Sequence, residues 1–502
     1  MRVQTGSVTE VACDALVVSL YQGAQPGGAA DAVDTALDGA VCQAVADGEF
    51  TGKLYETLTL PTYGRLPARR VIVVGLGPKE QFDRGRARQA AAVAARRARR
   101  AGARQAATIV HGAGSGGLEA TAAARALVEG TMSGLYRFHH YRTESDNRAD
   151  PEWIVVESDP DKAVSLNEGL RVGSAFGRAL GLARDLANEP PSRLTPVLLA
   201  ERAAVMARTE GLECEILHKE DLERLKMGAV LDVGRGSNEP PVLIRISYRG
   251  RSNVRAGEGD DYDLALVGKG VTFDSGGLSL KTAAGMEDMK FDMAGAAAVI
   301  AAMQAIAQLK PDLDVLAVVP AVENLPGHKA QKPGDVINSF SGKTIEVLNT
   351  DAEGRLILAD GVAYACHLGA RRVVDVATLT GGARIALGAL ASALISNDDH
   401  LATLVESAAG GAGERVWRLP AWDEYRELYR SDIADIKNTG GPGAGAITGG
   451  LIIGDFAGDT PWAHLDLGPT AWASEKKAFA ERGATGVATA TLVQLALTLD
   501  TQ

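Results

Sequence analysis

Short apolar runs alternate with longer amphipathic segments through the second half of the chain. Apolar runs of this length are typical of buried strands, and the segments between them favour helices. The predicted strands are residues 264–267, 315–319, 345–348 and 373–376, and the predicted helices are 294–309 and 356–368. Strand–helix alternation of this kind predicts a largely parallel sheet covered by helices. In such sheets, functional side chains gather beyond the carboxyl ends of the strands.

The first part of the chain alternates in the same way. Its predicted elements are strands at 15–20 and 70–74 and helices at 88–101, 118–135 and about 162–187. The last of these helices is ended by Pro190 and Pro191. At 502 residues the chain is long for one core, so we predict an α/β fold with two domains. The predicted parts are a smaller N-terminal α/β domain for assembly or regulation (1–160), a connecting helix (161–189) and a larger catalytic α/β domain with a mostly parallel sheet (190–502).

Composition and charge argue against several classes of protein. The net charge of −11 argues against broad nucleic-acid binding. Residues 84–104 are the exception, since arginines there interrupt a run of alanines, and we interpret them as a helix with a solvated basic face. The four cysteines are scattered without a C-x-x-C pair, which predicts reduced thiols. No window approaches about 18 uninterrupted apolar residues, so we expect a cytoplasmic protein without a membrane span.

Carboxylates cluster in two glycine-rich segments that follow apolar runs. Asp351 and Glu353 stand in the octapeptide NTDAEGRL, and side chains two residues apart at a strand end share one face. Asp274 stands in the segment VGKGVTFDSGGLSLK, and Asp292 follows it. If these carboxylates converge, their repulsion destabilises the fold unless cations intervene. Two divalent ions would balance their charge.

The same charges are also compatible with arrangements that contain no metal. One is a salt-bridge network with Lys269, Lys281 and Arg355, and an acidic helix N-terminus would account for the octapeptide alone. Neither arrangement accounts for the surrounding glycines, which indicate a backbone that bends sharply or approaches another group closely. These glycines are residues 268, 270, 276, 277 and 354. The H-E-x-x-H and G-x-S-x-G motifs of zinc peptidases and serine hydrolases are absent from the sequence.

The acidic motifs resemble those of the cytosolic leucyl aminopeptidase family. Residues 349–356 match the family signature at every position, and residues 268–281 match its metal-binding loop. The segments DIADIKNTGG and PWAHLD extend the similarity, which covers most of residues 170–490. The resemblance implies a dinuclear metal exopeptidase. It would remove N-terminal residues, preferably Leu-like, from peptides during intracellular protein turnover.

The resemblance also implies which residues would hold the metals. Asp274 and Glu353 would bridge or share the two ions. Asp292 and Lys269 would complete one site, and Asp351 the other. A lysine ligand must be neutral, and neighbouring cations lower its pKa. Carboxylate-rich ligation suits several divalent ions, and we expect two Mn²⁺ or Zn²⁺ per subunit.

The catalytic roles follow from the same resemblance. A hydroxide shared by the two ions would attack the peptide, and the free α-amine of the substrate would anchor on one ion. Lys281 would stabilise the oxyanion of the tetrahedral intermediate. Arg355 would hold a bicarbonate that acts as general base. The walls of the pocket for the first side chain would be Met289, Thr378, Gly381 and Ala471.

Enzymes of the resembled family form hexamers with their catalytic domains inward, so we expect a homo-hexamer whose other partners are peptide substrates. Two rival functions are a dinuclear phosphoesterase and a second DNA-binding or regulatory role. The phosphoesterase is disfavoured by the lack of histidines near the acidic motifs and by the match of the octapeptide. Nucleic-acid binding has only the arginine-rich segment in its favour, and we do not expect it.

Overall fold

The computed structural model of the chain describes residues 1–114, 116–144, 148–251 and 261–501. It confirms a two-domain α/β architecture. The first compact unit comprises Met1–Gly181 and Ser474–Arg482, and the second comprises Leu182–Ala473 and the C-terminal segment from Gly483. The boundaries at 160 and 190 stay a prediction, because compactness alone does not delimit a functional domain.

The first unit is built on a six-stranded sheet. Its strands are β1 (Arg2–Thr5), β2 (Ala15–Leu20), β3 (Thr57–Pro61), β4 (Arg70–Gly75), β5 (Gln105–Thr108) and β6 (Glu152–Glu157). The spatial order is β1-β6-β5-β2-β4-β3, and all neighbours are parallel except β3 and β4. The helices are α1 (Ala29–Ala36), α2 (Ala40–Ala46), α3 (Arg84–Arg100), α4 (Ala120–Leu135) and α5 (Ala163–Asn188), the last of which continues into the second unit.

Helix α3 carries the arginine-rich segment. Its alanines pack into the core, and Asp83 caps its first turn by accepting a hydrogen bond from the Arg86 amide. The predicted solvated basic face is only partly right. Arg97 and Arg100 are exposed, but the side chains of Arg96 and Arg99 are buried. Each buried guanidinium has a partner: Arg96 pairs with Glu481, and Arg99 Nη1 donates to the backbone carbonyl of Leu135 at 3.2 Å.

The second unit contains a nine-stranded sheet and two small sheets. The strands in chain order are β7 (Glu213–Leu217), β8 (Val242–Arg249), β9 (Leu264–Gly268), β10 (Gly270–Asp274), β11 (Asp314–Asn324), β12 (Val336–Asn338), β13 (Thr344–Glu346), β14 (Val373–Ala377), β15 (Ser392–Ser396), β16 (Val416–Arg418), β17 (Ile436–Lys437), β18 (Trp462–Asp466), β19 (Trp472–Ala473) and β20 (Gly483–Ala484). The main sheet has the order β16-β15-β18-β14-β9-β11-β8-β7, with β10 beside β11. Its centre, β18-β14-β9-β11, is parallel, and antiparallel pairs lie toward both edges.

One predicted strand of the main sheet lies elsewhere. The run at 345–348 contributes only β13, which belongs to the separate three-stranded sheet with β12 and β17. Beyond Val347 the chain leaves the extended pairing, because the backbone amides of Leu348 and Asn349 donate to the side chain of Asn438. The apolar run therefore leads into a loop held by a side chain.

Helices cover both faces of the central strands. The helices of this unit are α6 (Pro196–Glu210), α7 (Lys219–Arg224), α8 (Gly228–Gly234), α9 (Ala283–Met286), α10 (Ala294–Leu309), α11 (Gly354–His367), α12 (Gly381–Leu387), α13 (Asp399–Ala412), α14 (Gly445–Gly454) and α15 (Thr489–Leu499). Val267 packs toward α11, whereas a Cβ on the next residue, Gly268, would meet the backbone of α10. Since successive residues of a strand point to opposite faces, α10 and α11 lie on opposite faces of the sheet.

Among the described residues, the stretch Ala283–Leu309 alone is long and apolar enough to cross a membrane by length and composition. Of its most apolar window, 78% is buried inside the protein. This is the environment of a core helix.

Candidate metal centre

The predicted site residues come together at the carboxyl ends of the central strands. Lys269 directly follows β9, Asp274 ends β10, and Thr378 directly follows β14. Glu353 directly precedes α11. Neighbouring parallel strands end at the same edge of a sheet, so residues far apart in sequence meet there.

The first half of the site surrounds Lys269. Its Nζ lies 2.9 Å from Asp292 Oδ1, 2.8 Å from Glu353 Oε1 and 3.0 Å from the carbonyl oxygen of Thr378. The hydroxyl of Thr378 donates to Asp292 Oδ1 at 2.8 Å. Lys269, Asp292 and Glu353 are almost completely buried, as their exposed fractions are 3%, 4% and 1%. This half of the site is a buried ammonium group between two carboxylates.

The second half of the site surrounds Lys281. Its Nζ lies 2.7 Å from Asp274 Oδ2 and also contacts Asp351 Oδ1. Burial lowers the pKa of Lys281, but attraction by Asp274 and Glu353 outweighs burial and the pKa is raised. Lys281 is therefore a cation that joins two carboxylates and is less enclosed than Lys269.

Burial and mutual repulsion also control the protonation of the acids. Burial raises the pKa of Asp292 well above its ordinary value; Asp274 adds to the shift, and Lys269 opposes it. The pKa of Glu353 is raised by burial and then by Asp274. Burial lowers the pKa of Lys269, but attraction by Asp292 and Glu353 overcomes this and raises it. The carboxylates thus hold both lysines as ammonium ions.

Two glycines are required by close approaches within the site. A Cβ on Gly354 would lie 2.7 Å from both Cε and Nζ of Lys269. Gly276 has φ +86°, and a Cβ there would lie 2.8 Å from Asp351 Oδ1. A side chain at either position would displace a charged group, which accounts for the glycines around the acidic motifs.

Sequence reasoning missed the side chain that joins the two acidic loops. Asn324 ends the long strand β11, and its Nδ2 donates to Asp274 Oδ1 at 2.8 Å and to the carbonyl oxygen of Thr350 at 3.0 Å. The hydroxyl of Thr350 donates to the carbonyl of Gly276 at 2.7 Å. A polar residue at the end of an apolar strand on the functional edge is the signal that could have identified Asn324.

A second missed residue, Asn438, supports the octapeptide. It is fully buried. Its Nδ2 donates to the carbonyl oxygens of Asn349 and Ala352 at 2.7 and 3.3 Å. Its own carbonyl accepts from Arg355 Nη1 at 3.1 Å, and burial lowers the pKa of this guanidinium. Asn438 lies in the segment DIADIKNTGG, whose sequence resembles the family but does not by itself indicate this role.

The four predicted pocket residues differ in whether they contact the charged side chains of the site. Thr378 binds Asp292 and is buried, and Ala471 is also buried. Met289 begins the short turn that ends at Asp292 and is half-buried. Gly381 begins α12 and is exposed. Among the described contacts, only that of Thr378 ties one of these residues to a charged group of the site.

The arrangement of oxygen atoms fits divalent cations. Asp274, Asp351 and Glu353 each offer a carboxylate oxygen, and these atoms all lie within 4.8 Å of one another. Glu353 Oε2 is buried and has no hydrogen-bond partner among the residues that the structure describes. An unsatisfied buried carboxylate oxygen is costly, and a hard cation satisfies it.

The α/β fold and this carboxylate-rich centre, which fits divalent cations, match a metal-dependent peptidase. The chain belongs to the cytosol aminopeptidase family. The profile of the family's catalytic domain matches residues 181–493, and that of its N-terminal domain matches residues 17–145. The chain is therefore a hydrolase. Peptidases of this family are dinuclear metal enzymes.

Relatives match along nearly the whole chain. A probable cytosol aminopeptidase of Alkaliphilus metalliredigens is 44% identical, and the match covers 98% of both chains. One of Acidobacterium capsulatum is 46% identical over 92% of this chain and 90% of its own.

Two solved structures are also similar to this chain over nearly its whole length. A tomato leucine aminopeptidase variant is 32% identical, with a TM-score of 0.87 over 99% of this chain and 96% of its own. The bottromycin maturation enzyme BotP in complex with Mn is 36% identical, with a TM-score of 0.83 over 97% of this chain and all of its own.

The substitution Gly354→Ala tests the close approach at Lys269. The added methyl group should displace the Lys269 ammonium from Asp292 and Glu353 and reduce kcat/KM by roughly 10²-fold, the cost of a small misplacement in an active site. Alanine is a better helix former than glycine, so local helix propensity should not fall. Gly410→Ala in α13 is the matched control, since a Cβ there meets no atom within 4 Å. Wild-type kinetics for Gly354→Ala would contradict this interpretation of the site.

Proposed function

We propose that the chain releases N-terminal residues, preferably Leu-like, from peptides with a free α-amine. The observation that carries this proposal is the convergence of Asp274, Asp351 and Glu353 on one cation-sized volume beside two lysines. Family membership supports aminopeptidase chemistry. We further propose a cytoplasmic enzyme that takes part in intracellular peptide turnover.

The metal ligands in this proposal are those predicted from the sequence. Asp274 and Glu353 would be shared between two ions, with Lys269 and Asp292 completing one site and Asp351 the other. Mn²⁺ or Zn²⁺ would suit this set, and the relative solved with Mn supports manganese. Lys269 would need to lose the proton that Asp292 and Glu353 now stabilise, because only a neutral amine is a ligand.

The residues outside the ligand set would serve the substrate. When bound, the two ions would supply a water that ionises near neutral pH. Lys281 would place its positive charge on the oxyanion that develops at the scissile carbonyl. It suits that task because it is a cation less buried than Lys269 and is anchored by Asp274.

Arg355 would hold a small oxyanion, and we propose bicarbonate as the general base. Arg355 is 8% exposed, and its Nε has no hydrogen-bond partner among the described residues. Its Nη1 is fixed by the carbonyl of Asn438, which orients the planar group. A fixed and incompletely satisfied guanidinium matches a planar carboxylate-like anion.

The pocket for the first side chain of the substrate would be lined by Met289, Thr378, Gly381 and Ala471. Thr378 supports this placement because its hydroxyl and carbonyl touch Asp292 and Lys269 directly. The flexible side chain of Met289 would suit several apolar residues, which fits a preference for Leu-like substrates without strict selection.

The assembly we propose is a homo-hexamer. Exposed apolar side chains in the C-terminal half, Trp417 and Trp422, support an oligomer. Family membership argues against the phosphoesterase alternative.

Acetylation of the substrate tests the requirement for a free amine. Leucine anilide should be hydrolysed, and N-acetyl-leucine anilide should not, because the amide nitrogen of the acetylated substrate is a poor ligand. Release of aniline from both compounds by the manganese-loaded enzyme gives the comparison. Similar turnover of the two would refute the exopeptidase proposal.

Replacement of the two lysines separates catalysis from metal binding. Lys281→Ala should keep its metal content and lose roughly 10²–10³-fold in kcat, as for removal of one oxyanion donor. Lys269→Ala should lose metal, since it removes a ligand. Exposed Lys329→Ala is the control, and elemental analysis with steady-state kinetics measures both effects. Metal loss in Lys281→Ala with full occupancy in Lys269→Ala would reverse the proposed roles.

A further inference from the structure

A basic pocket lies in the first unit, apart from the metal centre. It has a volume of about 260 Å³. Its wall includes Arg96, Arg97 and Arg100 of helix α3 together with Lys476 and Lys477, which belong to the segment Ser474–Arg482 of the same unit. Tyr55 forms part of its apolar lining. Segments far apart in sequence thus concentrate positive charge around one cavity.

The positive charge of the pocket is only partly balanced. Glu481 pairs with Arg96 and, at 2.8 Å, with Lys476 Nζ. The pKa of Lys476 is lowered by burial and then by repulsion from Arg96 and Arg100. This shift indicates an excess of positive charge around the pocket. The whole chain is acidic, with a net charge of −11, so this concentration of cations is a local feature.

The buried member of the pocket has unused hydrogen-bonding capacity. Arg96 is 4% exposed, and its Nη2 faces Glu481. Its Nη1 is buried and has no hydrogen-bond partner among the residues that the structure describes. A buried guanidinium donor without an acceptor is costly, and a small shift of the Arg96 side chain, which lines the pocket, would bring it to an anion there.

We propose that the basic pocket binds a compact phosphorylated small molecule. Arginine forks match phosphate oxygens, and the two lysines add charge from the opposite segment. The volume is below the range of about 300–1,000 Å³ that is typical of drug-sized ligands, which favours a phosphate group with a small substituent. A nucleic acid would need an extended basic surface, whereas here the cations line one small cavity.

The lining is partly fixed before any ligand binds. Arg97 Nε donates to Thr59 Oγ1 at 2.9 Å, and the Tyr55 hydroxyl donates to Gln89 Oε1 at 2.8 Å. The ring of Tyr55 also packs on Phe479, with ring centroids 5.3 Å apart. These contacts reduce the entropy lost on binding and favour a specific site over a mobile basic surface.

Titration of the manganese-loaded full-length protein with inorganic phosphate and with AMP tests this proposal. Isothermal calorimetry at physiological ionic strength should show saturable binding of at least one of the two probes. The double variant Arg100→Gln/Lys477→Gln should weaken that binding by about tenfold or more, because it removes two charge-assisted contacts. Both residues are exposed, so folding should be unaffected. The control Arg65→Gln/Lys79→Gln removes the same charge from exposed positions outside the pocket and should bind as the wild type does.

Further outcomes separate this site from the metal centre. Binding should persist in Asp274→Asn, whose metal centre is damaged, so failure of the proposed peptidase activity would leave this proposal standing. Loss of binding in Asp274→Asn would place the anion at the metal centre and overturn the proposal. Equal weakening in the pocket and control variants, no binding of either probe, or displacement of phosphate by duplex DNA at lower concentration would also overturn it.

Discussion

The balance of charge at the carboxyl edge of the main sheet is the constraint on which the rest of the second unit depends. Asp274, Asp292 and Glu353 are buried there, where an unpaired carboxylate is costly. Lys269 and Lys281 neutralise part of that charge, and one oxygen of Glu353 still lacks a partner among the described residues. The excess of carboxylate oxygens is unfavourable for folding, but oxygen atoms of this kind are good ligands for divalent cations.

The backbone has to approach these charges closely, and this requirement determines the local sequence. Gly354 leaves room for the Lys269 side chain, and Gly276 allows the loop to turn beside Asp351. Asn324 and Asn438 then bind backbone carbonyls of the octapeptide, which fixes the loop that carries Asp351 and leads into Glu353. The carboxylates are therefore held in place by amide side chains that carry no charge of their own, as expected for supports of the proposed metal site.

Much of this arrangement was predictable from periodicity and spacing. The predicted strands 264–267 and 373–376 are present as Leu264–Gly268 and Val373–Ala377, because continuous apolar runs mark buried parallel strands. The acidic residues were identified because two charged motifs followed such runs. The prediction that residues 345–348 form a strand of the main sheet was wrong, because the backbone amide of Leu348 donates to Asn438. No local pattern indicates a contact between residues about 90 positions apart in sequence. Local patterns are equally uninformative for Arg96 in the first unit. It is buried beside Glu481, which is 385 positions away in sequence.

We propose that the carboxylate cluster of Asp274, Asp351 and Glu353 holds two divalent ions. Anomalous diffraction from crystals of the protein grown with Mn²⁺ measures this most directly. We predict two strong peaks, both in contact with Asp274 and Glu353, one of them also next to Lys269 and the other next to Asp351. Manganese-loaded, active protein with no peak among these carboxylates would contradict the account.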